Sequence, residues 1–273
     1  MREALRKYFE SNKIEYFGVL PYDACREISP HIAKRAGFCP KSVIVYLVPY
    51  YAGRAENISC YAASRDYHEI IEKIGGGLAD VLRAIDPDIN VASFGDHSPI
   101  DERHAASILG LGLLGDNYLL INEKYGSYIF IGDVVTDIPA EILGADEVKE
   151  ANRCPGCGRC KAECPSGILR GESDSCLSAI TQRKGALLPE EEEMMRKFNT
   201  GWGCDMCQAA CPFNRSPELT PIEFFYKDRI TRLDHETLNS MSDEELKSRA
   251  FGWRGRAVLL RNIRILFGSD DGN

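Results

Sequence analysis

The sequence predicts an α+β chain in which a mixed helix-and-strand domain of the first ~150 residues precedes a small module built around cysteines. Three observations carry this. Short β-branched runs at 14–20, 42–48 and 128–135 alternate with apolar residues at helical spacing over 66–85 and 98–109. From Cys154 to Pro212 that periodicity gives way to eight of the chain's 11 cysteines on short loops. After Arg249 an apolar helical pattern returns, with Val258, Leu259, Ile263, Leu266 and Phe267 set among Arg254, Arg256, Arg261 and Arg264. The expected boundaries are 1–148, 149–228 and a helical tail over 229–273 that packs back on the body.

The elements follow in order from local chemistry. The opening MREALRKYFESNK is a charged amphipathic helix with no apolar core segment or cleavage site, so it does not read as a secretory signal and a cytoplasmic location is expected. The run 42–53 is the longest apolar stretch, but Pro49 interrupts it and it is too short to span a bilayer. Ser98-Pro99 with Asp101 three residues after Ser98 marks a helix start, and Gly110 offers its stop. The acidic run Glu190 to Glu193 reads as a solvated face or a linker.

Composition excludes several classes. Hydrophobic residues at 44% and charged residues at 27% over 273 positions support a buried core rather than disorder. A net charge of −8 gives no global attraction to nucleic acid, which leaves only local basic groups for phosphate; the arginines from Arg249 to Arg264 are the one dense set. Their other reading is a helix whose arginines pair with the acidic body. Eleven cysteines without a leader argue for metal or redox chemistry over disulfides.

Cys154, Cys157, Cys160 and Cys164 stand as C-x2-C-x2-C-x3-C before Pro165, the run that wraps three thiolates on one iron–sulfur cubane and turns the fourth toward a second. Cys204, Cys207 and Cys211 before Pro212 repeat its later part, and Cys176 supplies the missing ligand. Crossed ligation assigns Cys154, Cys157, Cys160 and Cys211 to one 4Fe-4S cluster and Cys164, Cys176, Cys204 and Cys207 to the other, in a ferredoxin-like domain. Zinc is the alternative for C-x2-C pairs, although zinc modules rarely use C-x3-C-P twice. Cys25, Cys39 and Cys60 lack ligand spacing and read as buried thiols. A bare carrier of electrons needs no preceding domain of this size, so that domain is expected to use them.

The stretches YAASRDYH (61–68), FGDHSPIDERHAA (94–106), GLGLLGDNYLLI (110–121) and GSYIFIGDVVTDI (126–138), then CDMCQAACPFNR (204–215) and LLRNIRILFG (259–268), resemble the epoxyqueuosine reductase family. The resemblance implies a corrin-binding α/β sandwich of the reductive dehalogenase kind before the ferredoxin-like 2x4Fe-4S domain. It also implies base-off cobalamin as a further cofactor and reduction of the epoxide of epoxyqueuosine in tRNA to the alkene of queuosine. Asp96 matches the family's acid; its other reading is a turn or capping residue. Arg65, Tyr67, His68, Ser98, Gly112, Gly115, Asn117, Gly126, Ser127 and Gly132 are the cofactor-binding residues it implies, although the glycines by themselves read as ordinary turns.

The absence of a D-x-H-x-x-G motif agrees with cobalamin lacking a protein ligand. Asp116 stands where family members commonly carry lysine, and the chain reads as a short, divergent member. Expected partners are a ferredoxin- or flavodoxin-type reductant and tRNA, with no membrane. Two rivals stay open: a cobalamin-dependent reductase of a small organic or halogenated substrate, and a non-catalytic electron-transfer protein serving a corrinoid partner.

Overall fold

The computed structural model describes residues 1–29, 31 and 37–268. It forms two compact units, Met1–Pro49 with His68–Gly156, and Tyr50–Tyr67 with the chain from Cys157 on.

The first unit is built on a four-stranded antiparallel sheet, β1 (Phe17–Pro21), β2 (Ser42–Pro49), β3 (Val91–Gly95) and β6 (Ile129–Thr136), in the order β1-β2-β6-β3. A small hairpin of β4 (Leu113–Leu114) and β5 (Leu120–Ile121) lies between. Every residue of β2 is buried, so both faces of its period-2 alternation are apolar and helices cover both. Val43, Val45 and Leu47 point to a core shared with Ile100, Ala105, Ala106 and Ile108 of the α3 region (Glu102–Ile108). Tyr46, on the opposite face, lies 5.4 Å from Phe9 of α1 (Arg2–Ser11) and donates to the Ile71 carbonyl of α2 (Tyr67–Ile85) at 3.3 Å. Across the ladder Tyr46 pairs with Gly132, where a Cβ would clash with the phenol ring. A short helix α4 (Ala140–Leu143) follows β6.

Three differences from the sequence pattern have local causes. β1 starts at Phe17, not at residue 14: Lys13 turns left-handed (φ 59°) and the Ile14 N–H closes the end of α1 on the Phe9 carbonyl at 2.9 Å. β3 was not expected, because VASFG is half-exposed and does not alternate. The helix expected over 98–109 starts at Glu102, since its cap is Asp101, which accepts from the His104 N–H at 3.1 Å; Ser98 instead accepts from the Ile100 N–H at 3.2 Å within the preceding turn.

In the second unit α5 (Arg159–Ala162), α6 (Leu177–Gln182), α7 (Pro189–Lys197) and α8 (Met206–Ala209) are short pieces punctuated by left-handed glycines at 158, 167 and 171. Helices α9 (His235–Ser240), α10 (Asp243–Lys247) and α11 (Arg256–Phe267) close around Trp202 and Phe251, both fully buried. Segment 50–67 belongs here because Ile58 bridges Trp202 and Arg65 bridges Arg249, with the Ser59 N–H on the Trp202 carbonyl at 2.8 Å. Asn262, 1% exposed, donates to the Thr181 and Gly201 carbonyls at 2.7 and 2.8 Å.

Four of the five tail arginines, Arg249, Arg254, Arg256 and Arg261, are engaged within this unit. Arg261 donates to the carbonyls of Arg183 and Gly185, Arg256 to those of Leu238 and Met241 and to Asp243. Arg249 is buried against Glu245 and the Asp228 carbonyl, and Arg254 stacks on Trp253 at 3.7 Å. No helix among the described residues is long and apolar enough to cross a membrane.

Candidate functional site

Asp96 follows β3 directly, in the left-handed conformation (φ 67°) that few non-glycine residues adopt and that aspartate reaches more readily than most. Its Oδ2 lies 3.5 Å from Nε2 of His68, the second residue of α2; both side chains are a little under half exposed. An acid and a histidine are therefore brought together from positions far apart in sequence. The helix dipole of α3 reaches Asp96 less than the sequence pattern implied, since the true cap is Asp101.

Behind this pair lies a group that sequence reasoning missed. Asp133 of β6 is fully buried, and neither carboxyl oxygen makes a hydrogen bond of ordinary geometry. Burial pushes it up to about 7, and the Ser98 hydroxyl is the one neighbour pulling it down. Glu102, the first residue of α3, is half-buried and pushed up to about 8, by desolvation first and then by Asp133 and Asp96, with Arg103 opposing. The signal was present: a charged residue in the middle of the apolar strand IFIGDVVT. Its meaning was not, because the pairing of Phe94 with Asp133 that sets it beside the Asp96 turn is long-range.

The expected cofactor contacts separate into two kinds. Gly112, Gly115 and Gly132 are required by the protein itself: an added Cβ would strike the Ile121 carbonyl, the Asn117 side chain and Tyr46 respectively. Gly126 turns left-handed (φ 59°), so that its carbonyl accepts from the Asn122 N–H at 2.8 Å. Asn117 is different. It is 7% exposed, in the loop where the Gly115 N–H donates to Leu119, and its Nδ2 has no partner. Ser98 and Ser127 are buried in the same unit.

In the second unit Arg65 lines a cavity of about 560 Å³ with Asp228, Arg229, Glu245 and Arg249, and Tyr67 packs edge-on against Tyr61 at 6.2 Å.

Among the expected cluster ligands, Cys160, Cys164 and Cys211 are buried, Cys154, Cys176, Cys204 and Cys207 are partly buried and Cys157 is exposed. Cys204 and Cys207 are pushed up to about 12, chiefly by burial and also by Cys176; Cys160 and Cys164 add to the effect on Cys207. These thiols are thus close enough to feel one another, and a set of neighbouring, buried and partly buried sulfurs is the donor chemistry that a cluster would satisfy. Among the described residues no three His, Cys, Asp or Glu side chains stand ready to close on a single metal ion. Of the remaining thiols, Cys25 and Cys60 are partly buried, whereas Cys39 is exposed, contrary to the reading of all three as buried.

Residues 153–214 match the family model of the 4Fe-4S double cluster binding domain. A chain that carries such a module behind an α/β unit of this topology is an iron–sulfur oxidoreductase. It is 32% identical over 250 residues to the epoxyqueuosine reductase of Gloeobacter violaceus, with 84% of this chain and 76% of that one covered, and 31% identical to that of Listeria monocytogenes, of which it spans 54%. The chain belongs to the epoxyqueuosine reductase family.

Two solved structures are similar in fold. An epoxyqueuosine reductase with a tRNA-Tyr epoxyqueuosine-modified stem loop superposes with a TM-score of 0.76 at 22% identity, over 97% of this chain and 80% of that one. The enzyme of Bacillus subtilis, described with an aspartate catalytic loop swung out of its active site, gives 0.75 at 22%, over 96% and 80%.

Proposed function

We propose that this protein reduces the epoxide of epoxyqueuosine in tRNA to the alkene, with two 4Fe-4S clusters and base-off cobalamin as cofactors and a ferredoxin- or flavodoxin-type protein as reductant. The observation that carries the reading is the Asp96 turn, which presents a carboxyl beside His68 on a loop. What the Bacillus subtilis relative's description says of its aspartate loop supports the same role here. Cys154, Cys157, Cys160 and Cys211 would hold one cluster and Cys164, Cys176, Cys204 and Cys207 the other. Together the clusters supply one-electron steps, and the corrin supplies a strongly reducing centre when bound. Asn117, with an unpartnered buried amide N–H suited to a carboxamide acceptor, is the residue in the first unit best fitted to hold that cofactor. Arg65, Tyr67, His68, Ser98, Gly112, Gly115, Gly126, Ser127 and Gly132 complete the proposed contacts.

Reduction of an epoxide to an alkene takes two electrons and two protons and releases water. Asp96 delivers a proton to the departing oxygen, and His68 fixes the direction of its carboxyl.

The decisive experiment is anaerobic reconstitution with iron, sulfide and cobalamin, followed by turnover of epoxyqueuosine-modified tRNA read by nucleoside mass spectrometry. Queuosine formation that needs both cofactors supports the reading; bound corrin without turnover or tRNA binding at low salt removes the tRNA substrate. A small organic substrate is the second reading, favoured by Asp116 in place of the family's lysine and by tail arginines already engaged within the protein.

A further inference from the structure

The loop that carries Cys204 is fastened to the segment leading to Arg65 and Tyr67. Ile58 bridges Trp202, the Gly201 N–H donates to the Asn57 carbonyl at 2.6 Å, and the Ser59 N–H donates to the Trp202 carbonyl at 2.8 Å. Gly203 turns left-handed (φ 71°), and a Cβ there would stand 2.5 Å from that of Ser59, so the two segments lie flush. Asp205 completes the fastening. Its Oδ2 accepts from the Cys60 N–H at 2.7 Å, and its Oδ1 accepts from the Ser59 hydroxyl and from Nε2 of Gln208, the latter at 3.1 Å.

Asp205 occupies the N-cap position of α8, where an aspartate ordinarily accepts from the first amides of its own helix. It makes no such bond. Its carboxylate is given to Ser59 and Cys60 instead, and the Met206 N–H serves the Cys204 sulfur. Three donors hold the carboxylate, and among the described residues no cation pairs with it. Arg170 bears on the same ligand set from the side of Cys164, whose carbonyl it meets at 3.3 Å, but Glu172 pairs with it at 2.7 Å and offsets its charge. Arg229, which bears on Cys60, is turned to the Gly53 and Arg54 carbonyls.

Asp205 is bonded to Cys204 and stands two positions before Cys207, so its charge is fixed within a few ångströms of both sulfurs. A cluster that takes up an electron gains negative charge, and a fixed anion beside it opposes the gain.

We propose that Asp205 is a positioning residue that tunes the second cluster: its carboxylate, anchored by Ser59, Cys60 and Gln208, lowers the reduction potential of the cluster held by Cys164, Cys176, Cys204 and Cys207. The inference rests on the cluster assignment in the functional reading above. Asp205 exchanges neither electrons nor protons; its charge makes the reduced cluster a stronger one-electron donor.

The test uses the full chain reconstituted anaerobically with iron and sulfide, without cobalamin or tRNA, and poised at stepped potentials with EPR of the reduced clusters as readout. The second cluster is the signal absent from Cys176→Ala. At the potential that leaves it half reduced in wild type, Asp205→Asn and Asp205→Ala should raise its reduced-to-oxidised ratio about 10-fold, the scale of removing one nearby charge in a partly wet site. Asp205→Glu should stay near the wild-type ratio, and Ser59→Ala, which removes an anchor and keeps the charge, should move it far less than Asp205→Asn.

An unchanged ratio in both neutral variants, an equal rise in both clusters, or a shift in Asp205→Glu or Ser59→Ala as large as that in Asp205→Asn overturns the tuning. Loss of the second cluster's iron from both neutral variants also overturns it, since Asp205 would then only fasten the loop. These outcomes leave the epoxide reaction standing, which fails on the cobalamin and tRNA experiment above. Absence of a second cluster from wild type removes the cluster assignment, and the tuning with it.

Discussion

The α/β unit and the cysteine module are stabilised in different ways. Around β2, apolar side chains fill both faces of the sheet, and the core runs through β6 into α3. Between Cys157 and Lys197 the apolar core has four buried members, Leu177, Ile180, Leu187 and Met195, and the helices are short, none longer than nine residues. Such pieces are marginal on their own, so the module depends on what its cysteines hold. A core of the first kind tolerates the loss of one polar group, whereas a scaffold of the second kind does not tolerate the loss of one ligand.

The largest expected effect probes that contrast. Reconstituted wild-type protein should carry about eight irons and eight acid-labile sulfides, and Cys176→Ala should lose close to half of each and loosen the module to proteolysis. Cys25→Ala, in the α/β unit, should keep its full iron content; equal losses at both positions would erase the distinction.

Asp96→Asn should keep the fold, the iron and bound cobalamin while turnover falls roughly 100-fold, the scale of a lost general acid. Turnover near the wild-type rate would remove Asp96 from the chemistry.

Asn262→Ala should cost about 2–3 kcal/mol, because two buried carbonyls lose their donor together, measurable as a lower denaturant midpoint for the second unit. A change under ~0.5 kcal/mol would mean that water replaces the amide.

Asp133→Asn sharpens the comparison from the other side. Because the folded-state value is raised to about 7, the carboxyl's contribution is full below the unfolded value near 3.8 and is lost as pH rises through about 7. The variant should therefore gain melting temperature relative to wild type as pH goes from 6 to 9, with a difference on the order of 1–2 kcal/mol after its own amide is accommodated. A gap that is constant with pH would show that Asp133 does not titrate in this range.

Asp101→Ala, which removes the cap of α3, should be the mildest at about 1 kcal/mol. A larger loss from Ser98→Ala would return the cap to Ser98.

What could be read in advance follows the range of the interactions. Ligand spacing in the cysteine runs is set within a few bonds, so the double-cluster module was legible from 154 to 212. The strands β2 and β6 were legible from their β-branched runs. Asp96 stood out only through resemblance; neither β3 nor the left-handed turn behind it leaves a periodic trace. Asp133 looked like an interruption in a strand until pairing with β3 set it beside that turn. Ser98 lost the cap to Asp101, since both residues offer an oxygen and only the fold decides which one faces the helix. Gly132, Gly112 and Gly115, expected as cofactor contacts, also leave room for Tyr46, Ile121 and Asn117, a packing need no local pattern announces.

The order β1-β2-β6-β3 sets a timetable for synthesis. β1 and β2 pair as soon as both are made, but the other edge of β2 is filled only by β6, with Pro49 facing Ile129 across everything between. At ~5–20 residues per second, that edge waits unpaired for roughly 4–16 s on the ribosome, a ready template for any other extended chain nearby. Over that interval the nascent chain has reason to meet a chaperone before it ever meets iron.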